Sequence, residues 1–338
     1  MGIVEGRAMN PPTCTAEDYI QFLLASPNRA SCTEASASSP KGISHDAFTR
    51  LLARAAQDPE SLWREAKGMV RLERGCLVID DSVEDKPYAL NTALVYWQWS
   101  GKHHDVVQGV GLETLLWTDG QGMIPCDIRL YNAPEDGLTK NDHFQNMLQV
   151  AQARGFQPEY ILFDTWYAGL ENLKFISRHG WFFLTRLKCN RQVNPTGKAG
   201  GNVSIETLED IPEFGQIVHL KGFGMVRIFR IVEEHDTQYW CTNELEMSEI
   251  QRQILAGKAW NIEVYHRGLK NACHTEHFQC QSEDKVRGHI LLSVRAFLRL
   301  EYCRIKHFIS WYESKLAIIR DAVRAYLQSP TLILPATA

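Results

Sequence analysis

The chain has 338 residues, 44% of them apolar and 22% charged, with a formal net charge of −4. That is the composition of a folded protein with a large core and room for two or three domains, not of a disordered or fibrous chain. No stretch approaches the roughly 18 apolar residues of a membrane span, no secretory apolar segment opens the chain, and the expectation is a cytoplasmic protein that does not engage membranes.

The first eight residues, with Ile3-Val4-Glu5-Gly6-Arg7, read as a remnant ahead of a natural start at Met9. Thr15-Ala16-Glu17-Asp18 precedes Tyr19, Phe22 and Leu23 and predicts a capped helix. A polar stretch, Ser26 to Ser39, separates it from a second helix starting near His45, with Phe48, Leu51 and Leu52 on one face. Asp58-Pro59-Glu60 predicts a third start, with Asp as N-cap and Pro in the first turn. Residues 1–70 thus form a small helical domain, suited to DNA binding, to packing or to dimerisation.

Strands follow. Gly75 bounds Cys76-Leu77-Val78-Ile79-Asp80-Asp81-Ser82, an apolar run ending in two carboxylates and a hydroxyl. Such runs read as buried strands, and an acid at the strand tip is open to water and ligand. Strands at 93–99 and 106–118, joined through Ser100-Gly101-Lys102, complete an antiparallel meander. A helix from about Asn141 to Arg154 stops at Gly155. The strand Tyr160-Ile161-Leu162-Phe163-Asp164 repeats the apolar-then-acid grammar, and a helix over 168–178 and a strand over 181–187 come next. Three strands, helix, strand, helix, strand is the order of the ribonuclease H-like fold, an α/β mixed sheet with flanking helices, in which the first and fourth strands are neighbours. Asp80 and Asp164 are therefore expected side by side.

Residues 190–238, with Asn194-Pro195 and the loop Gly197 to Gly201, break the pattern. Ile217 to Leu220 and Val226 to Val232 predict a β-ribbon, read as an insertion. The catalytic domain then comprises 71–189 and 239–338, helical from about Ser248 to Arg320.

Glu263 lies in Trp260-Asn261-Ile262-Glu263-Val264-Tyr265-His266-Arg267-Gly268-Leu269-Lys270. Arg267 and Lys270, four and seven residues on, share its helical face. Gly268 weakens a helix and points to a close approach, whether by a ligand or by a packing partner. Two metal ions roughly 3.5–4 Å apart can be held by two or three such acids across a scissile phosphate. Asp80, Asp164 and Glu263 are the candidate catalytic and metal-binding set. Asp81 is the competitor of Asp80, and alternation along a strand turns one of them away; Glu84 and Asp85 read as loop acids.

Charge is unevenly distributed. Six Lys or Arg and no acid lie between Asn172 and Gly200, and nine basic residues against three acids between Lys285 and Tyr326. That segregation suits a phosphate-binding face, although a solvated helix face produces it more often. Arg186, Lys188 and Arg191, with Tyr265, Arg267 and Lys270, are the candidate DNA-binding residues. Nine dispersed cysteines without a CxxC pair indicate reduced thiols. Cys273, His274, His277 and Cys280 could approach a zinc ion, but they lack the usual paired spacing.

The acid motifs carry a resemblance. Asp80-Asp81-Ser82, Phe163-Asp164-Thr165-Trp166-Tyr167-Ala168 and Trp260 to Lys270, in that order and with the insertion between the second and third, resemble DDE transposases of bacterial insertion sequences. Lys140-Asn141-Asp142-His143-Phe144 and Thr185-Arg186-Leu187-Lys188 add to it, and the likeness covers most of residues 40–326. The resemblance implies a prokaryotic, nucleoid-associated enzyme that uses two Mg²⁺ ions, with Mn²⁺ as a substitute. It implies cleavage at terminal inverted repeats of double-stranded DNA and attack of the freed 3′-hydroxyl on target DNA, with a homodimer pairing the two ends. Lys270 matches the lysine of the family's Tyr/Arg/Glu/Lys signature, whereas the Tyr and Arg positions fall on Ala256 and Ala259; Tyr265, Arg267 and Lys258 stand nearby as substitutes. The competing readings are a stand-alone ribonuclease H-like nuclease or resolvase, a catalytically silent DNA-binding relative and, last, a zinc hydrolase.

Overall fold

In the computed structural model of the chain the described residues are 13–331, except 28–29, 133–134, 136, 199–200 and 234–235. The expected start at Met9 and residues 199–200 of the glycine-rich loop lie outside them.

Four helices open the described chain: α1 (Ala16–Ala25), α2 (Cys32–Ala37), α3 (His45–Ala56) and α4 (Glu60–Ala66). Thr15 and Asp18 form the expected capping box, and Ser44 caps α3. The polar stretch read as a separator contains α2, started by the Ser31 side chain. Pro59, not Asp58, stands at the cap of α4; Asp58 pairs with Arg64 instead.

The sheet strands are β1 (Cys76–Asp85), β2 (Tyr96–Ser100), β3 (Asp105–Thr118), β4 (Ile124–Tyr131), β5 (Tyr160–Phe163) and β6 (Phe182–Leu187), with α5 (Lys140–Ala153) and α6 (Leu170–Arg178) as crossovers. The order β4-β3-β1-β5-β6 is that of the ribonuclease H-like fold. The third strand of the meander is β4, which the sequence reading missed. The expected strand at 93–99 is β2, which pairs with the far end of β3. Pro125 inside β4 lowers its strand signal; it is tolerated because, among the described residues, β4 pairs only with β3, at a register shift beside Leu115 and Leu116.

The insertion strands β7 (Gln192–Asn194), β8 (Val203–Ser204), β9 (Gln216–Leu220) and β10 (Gly224–Val232) do not form a separate ribbon. With β11 (Thr237–Thr242), which pairs with both β10 and β6, they extend the same sheet to eleven strands.

The helices α7 (Glu249–Ala259), α8 (Asn261–Cys273), α9 (Glu283–His307) and α10 (Trp311–Gln328) complete the order. The 25-residue α9 is buried on every face from Gly288 to Val294 and receives the N-terminal helices. A Cβ on Gly288 would stand 1.9 Å from the Leu52 carbonyl oxygen, so only glycine lets α3 cross there. Tyr19 of α1 joins His289 of α9, Oη to Nδ1, at 3.0 Å. Gly268 on α8 also serves packing: a Cβ there would meet Trp311 at 2.6 Å and Phe297 at 2.9 Å. Among the described residues no helix is long and apolar enough to cross a membrane.

Candidate active site

The strand β1 is longer than its apolar run because β3 pairs with it from Cys76 to Asp85. Asp80 therefore lies in mid-strand, not at a strand tip. Its access arises on the other edge: β5 pairs in parallel with Cys76 to Ile79 only and stops at Phe163. Among the described residues Asp80 is the first of β1 with no strand on that side, and Asp164 is the residue at which β5 has ended. Ile79 opposite Phe163 places the two acids at one level.

Asp164 leaves β5 in extended conformation. Its Oδ1 accepts the Trp166 amide at 2.7 Å and starts a short 3-10 turn, Thr165–Tyr167, so the next helix begins at Leu170 and not at Ala168. Glu263 is in the first turn of α8 and is exposed. Asp80, Asp164 and Glu263 line one cavity of about 380 Å³, together with Arg186, Gln238, Trp240 and Trp260.

The electrostatics of the cavity follow from that crowding. Burial, then repulsion from Asp81, Asp164 and Glu263, lifts the Asp80 carboxyl well above the usual carboxylate range. Burial and the Asp81 charge also lift Asp164, opposed by the Trp166 amide and by Arg186. Among the described residues no Lys, Arg or His forms an ion pair with Asp80, Asp164 or Glu263. Asp81 differs: Lys140 Nζ stands 2.6 Å from its Oδ2, and Tyr167 Oη donates to its Oδ1 at 3.0 Å.

An oxygen-only set of carboxylates repelling one another fits a hard divalent cation such as Mg²⁺. Their carboxyls face a common cavity without closing on one point, for no three His, Cys, Asp or Glu side chains among the described residues are gathered tightly enough to hold an ion. The Cys273 to Cys280 segment is likewise not a metal centre there. His274 Nδ1 meets His277 Nδ1 at 2.9 Å, and His274 Nε2 contacts the Ser26 carbonyl at 2.9 Å and Lys315 Nζ at 2.8 Å.

The expected DNA-binding residues divide. Arg186 lines the acid cavity with its guanidinium 5.9 Å from the Trp240 ring centre, and Lys188 lies 5.9 Å from that of the exposed Trp166. Arg191 is partly turned inward, donating to the Ala168 carbonyl at 3.0 Å. Arg267 is exposed and lines a second cleft of about 520 Å³, which adjoins the first through Trp260 and Glu263. Tyr265 is wholly buried, edge-on to Phe297, so its side chain presents no surface to DNA. Lys270 is held from within the protein, by the Val83 carbonyl at 2.5 Å, Glu276 at 3.0 Å and Glu84 at 3.7 Å. Glu84, read from sequence as a loop acid, is a strand residue with no exposure. Sequence reasoning also missed Lys140 and Tyr167 as the partners of Asp81; the basic residue one turn before Phe144 was the available signal for the first.

No curated protein sequence matches the chain. Among solved structures, a cryo-EM structure of the piggyBac transposase synaptic complex with hairpin DNA aligns over 94% of this chain and 73% of its own, at 9% identity and a TM-score of 0.51. The likeness is one of fold. The Drosophila P element transposase strand transfer complex covers 95% of this chain and 87% of its own at 10% identity, with a TM-score of only 0.26. The family model described as Transposase DDE domain matches residues 96–298, more than half of the chain, and the chain belongs to that family of DNA transposases.

Proposed function

We propose that the chain cuts DNA at the ends of a mobile element and joins the freed 3′-hydroxyl ends to target DNA, by phosphoryl transfer at Asp80, Asp164 and Glu263. The observation that carries this reading is a cavity lined by three carboxylates, none of them ion-paired among the described residues, whose mutual repulsion calls for divalent cations. The family generally uses divalent metals. Mg²⁺ ions bound here would activate water and stabilise the charge that builds on the phosphate oxygens.

The protein's own groups do the rest. Asp80 and Asp164 supply oxygens from adjacent strands, and Glu263 supplies them from the helix that closes the cavity. Asp81 is already ion-paired with Lys140, which leaves Asp80 as the strand ligand. Arg186, Lys188 and Arg267 would hold phosphates along the rim, and Trp166, Trp240 and Trp260 offer flat surfaces beside them. Both cutting and joining are in-line displacements at phosphorus, so one cavity can serve both steps.

The reading carries a division into a helical domain over 1–70, a catalytic domain over 71–189 and 239–338, and an insertion over 190–238. It also carries a homodimer on paired ends.

The test is cleavage of DNA carrying the inverted repeats that flank the coding sequence, with Mg²⁺ or Mn²⁺. Wild type is expected to release 3′-hydroxyl ends and join them to a target duplex, and Asp164→Asn to do neither. Undiminished activity in Asp164→Asn overturns the assignment; cutting without joining favours a nuclease.

A further inference from the structure

Lys270 sits where the family signature expects a cation for DNA, yet its partners lie inside the protein. Glu84 has no exposure at all, and among the described residues neither of its carboxylate oxygens makes a hydrogen bond of good geometry, although the Thr275 and Ser82 hydroxyls interact with it. Lys270 Nζ, at 3.7 Å, is the cation paired with it. The same Nζ caps the Val83 carbonyl at 2.5 Å and meets Glu276, whose carboxylate accepts the Asp85 amide at 3.3 Å. Lys270 thus fastens α8 to the end of β1 at several points.

The spacing gives this fastening a consequence for the acids. Glu84 follows Asp80 by four residues on β1, about 13 Å along a strand. Lys270 follows Glu263 by seven residues on α8, about 10 Å along a helix. Asp80 and Glu263 face a common cavity, and Glu84 and Lys270 form an ion pair. The strand and the helix therefore run side by side in the same sense, joined at matching distances.

We propose that Lys270 is a positioning residue: by pairing with buried Glu84 it locks α8 in register with β1 and so sets Glu263 opposite Asp80. The inference rests on the reading of those acids as metal ligands. It differs from a phosphate-contact role, in which the lysine would act on DNA directly and its loss would leave the acids in place.

The experiment measures two quantities apart from turnover. One is binding of Mn²⁺ to the DNA-free protein, followed by the electron paramagnetic resonance of free Mn²⁺. The other is binding of end DNA in EDTA across a range of salt. Lys270→Met and Glu84→Gln are each expected to weaken Mn²⁺ binding about 10-fold or more, the usual cost of losing an outer partner of a metal site. End-DNA affinity is expected to stay within about 2-fold, with the salt slope unchanged. A phosphate contact predicts the opposite for Lys270→Met: intact Mn²⁺ binding and a slope reduced by about one unit; that result overturns the proposal. Glu84→Gln decides alone if Lys270→Met does not fold, because a residue without exposure cannot touch DNA; unchanged Mn²⁺ binding in this variant also overturns it. Should wild type and Asp164→Asn bind Mn²⁺ alike, it is the metal-site reading itself that falls.

Discussion

Ile79 of β1 stands directly opposite Phe163 of β5 across a parallel pairing, and each is followed by an aspartate. From this one register the two acids acquire a common level, and because β5 ends there, a common opening. On the proposed reading Asp80, and not Asp81, is the ligand, which predicts a sharp split between neighbours. Asp80→Asn is expected to lower metal-dependent end cleavage by about 10³-fold, corresponding to ~4 kcal/mol of lost charge stabilisation. Asp81→Asn removes the partner of Lys140 and is expected to cost stability, about 1–3 kcal/mol, with a much smaller loss of cleavage. Thermal melting and single-turnover cleavage of both variants check the split, and equal losses of cleavage would remove it.

The level of these two acids was legible in the sequence, because the order of elements, read as that of the ribonuclease H-like fold, makes the two apolar-then-acid strands β1 and β5 neighbours. What was not legible depended on partners far along the chain. Glu84 reads as a loop acid beside Asp85 and Lys86; it is buried because β3, whose Val110 pairs with it, is long enough to extend β1 past the apolar run. The strand β4 was hidden by Pro125 and by Asp127 and Arg129, polar residues that pair with each other on an edge strand at 2.7 Å. The role of Gly268 depended on Trp311, on another helix. Local pattern fixes which element forms; which of its residues are buried is settled by what covers it.

The raised carboxyl of Asp80 has a consequence for stability. A folded-state pKa above the unfolded value, near 3.9, means that the group's contribution to stability is present below that value and is lost as pH rises through the folded pKa. Above the unfolded value Asp80 therefore costs the metal-free protein stability. Asp80→Asn is expected to melt higher than wild type in EDTA, by about 1–2 °C for each kcal/mol relieved in a chain of 338 residues. The gap should close as pH falls toward 4. Excess Mg²⁺ should raise the melting temperature of wild type and leave that of the variant nearly unmoved. Calorimetry with and without metal measures both, and a variant that melts lower than wild type in EDTA would contradict the expectation.

Acid should loosen the contact between the N-terminal helices and α9. Burial pushes His289 down to about 3 and His274 down to about 4, with the Lys315 charge adding to the second. Both are thus neutral in the fold while their unfolded counterparts take up a proton near 6.5. Their contribution is complete above that pH and is lost as pH falls from about 6.5 through the folded values, at about 1.4 kcal/mol per pH unit for each histidine. Neutral His289 donates its Nε2–H to the His274 carbonyl at 2.9 Å and accepts the Tyr19 hydroxyl at Nδ1. His289→Gln is expected to lower stability at pH 7 and to flatten the acid slope by one proton. Urea melts between pH 7 and 4.5 check this, and an unchanged slope would show that His289 does not titrate across the transition.

Two glycines on exposed and buried helix faces should respond to alanine in opposite directions. In α9, a Cβ at Gly288 would lie 1.9 Å from the Leu52 oxygen and 2.7 Å from the Leu52 carbonyl carbon. These are backbone atoms of α3, so no rotamer change relieves the clash and the helices must separate. Overpacking of this kind costs about 1–3 kcal/mol or more, and Gly288→Ala is expected to expose α3 to protease at temperatures where wild type resists. In α7, a Cβ at Gly257 meets nothing within 4 Å. There the loss of backbone freedom in the unfolded chain governs, and Gly257→Ala is expected to stabilise by about 0.5–1 kcal/mol. Melting temperatures and limited proteolysis of the pair, measured side by side, test whether the N-terminal helices are held by the close crossing at Leu52; equal behaviour of the two variants would show that they are not.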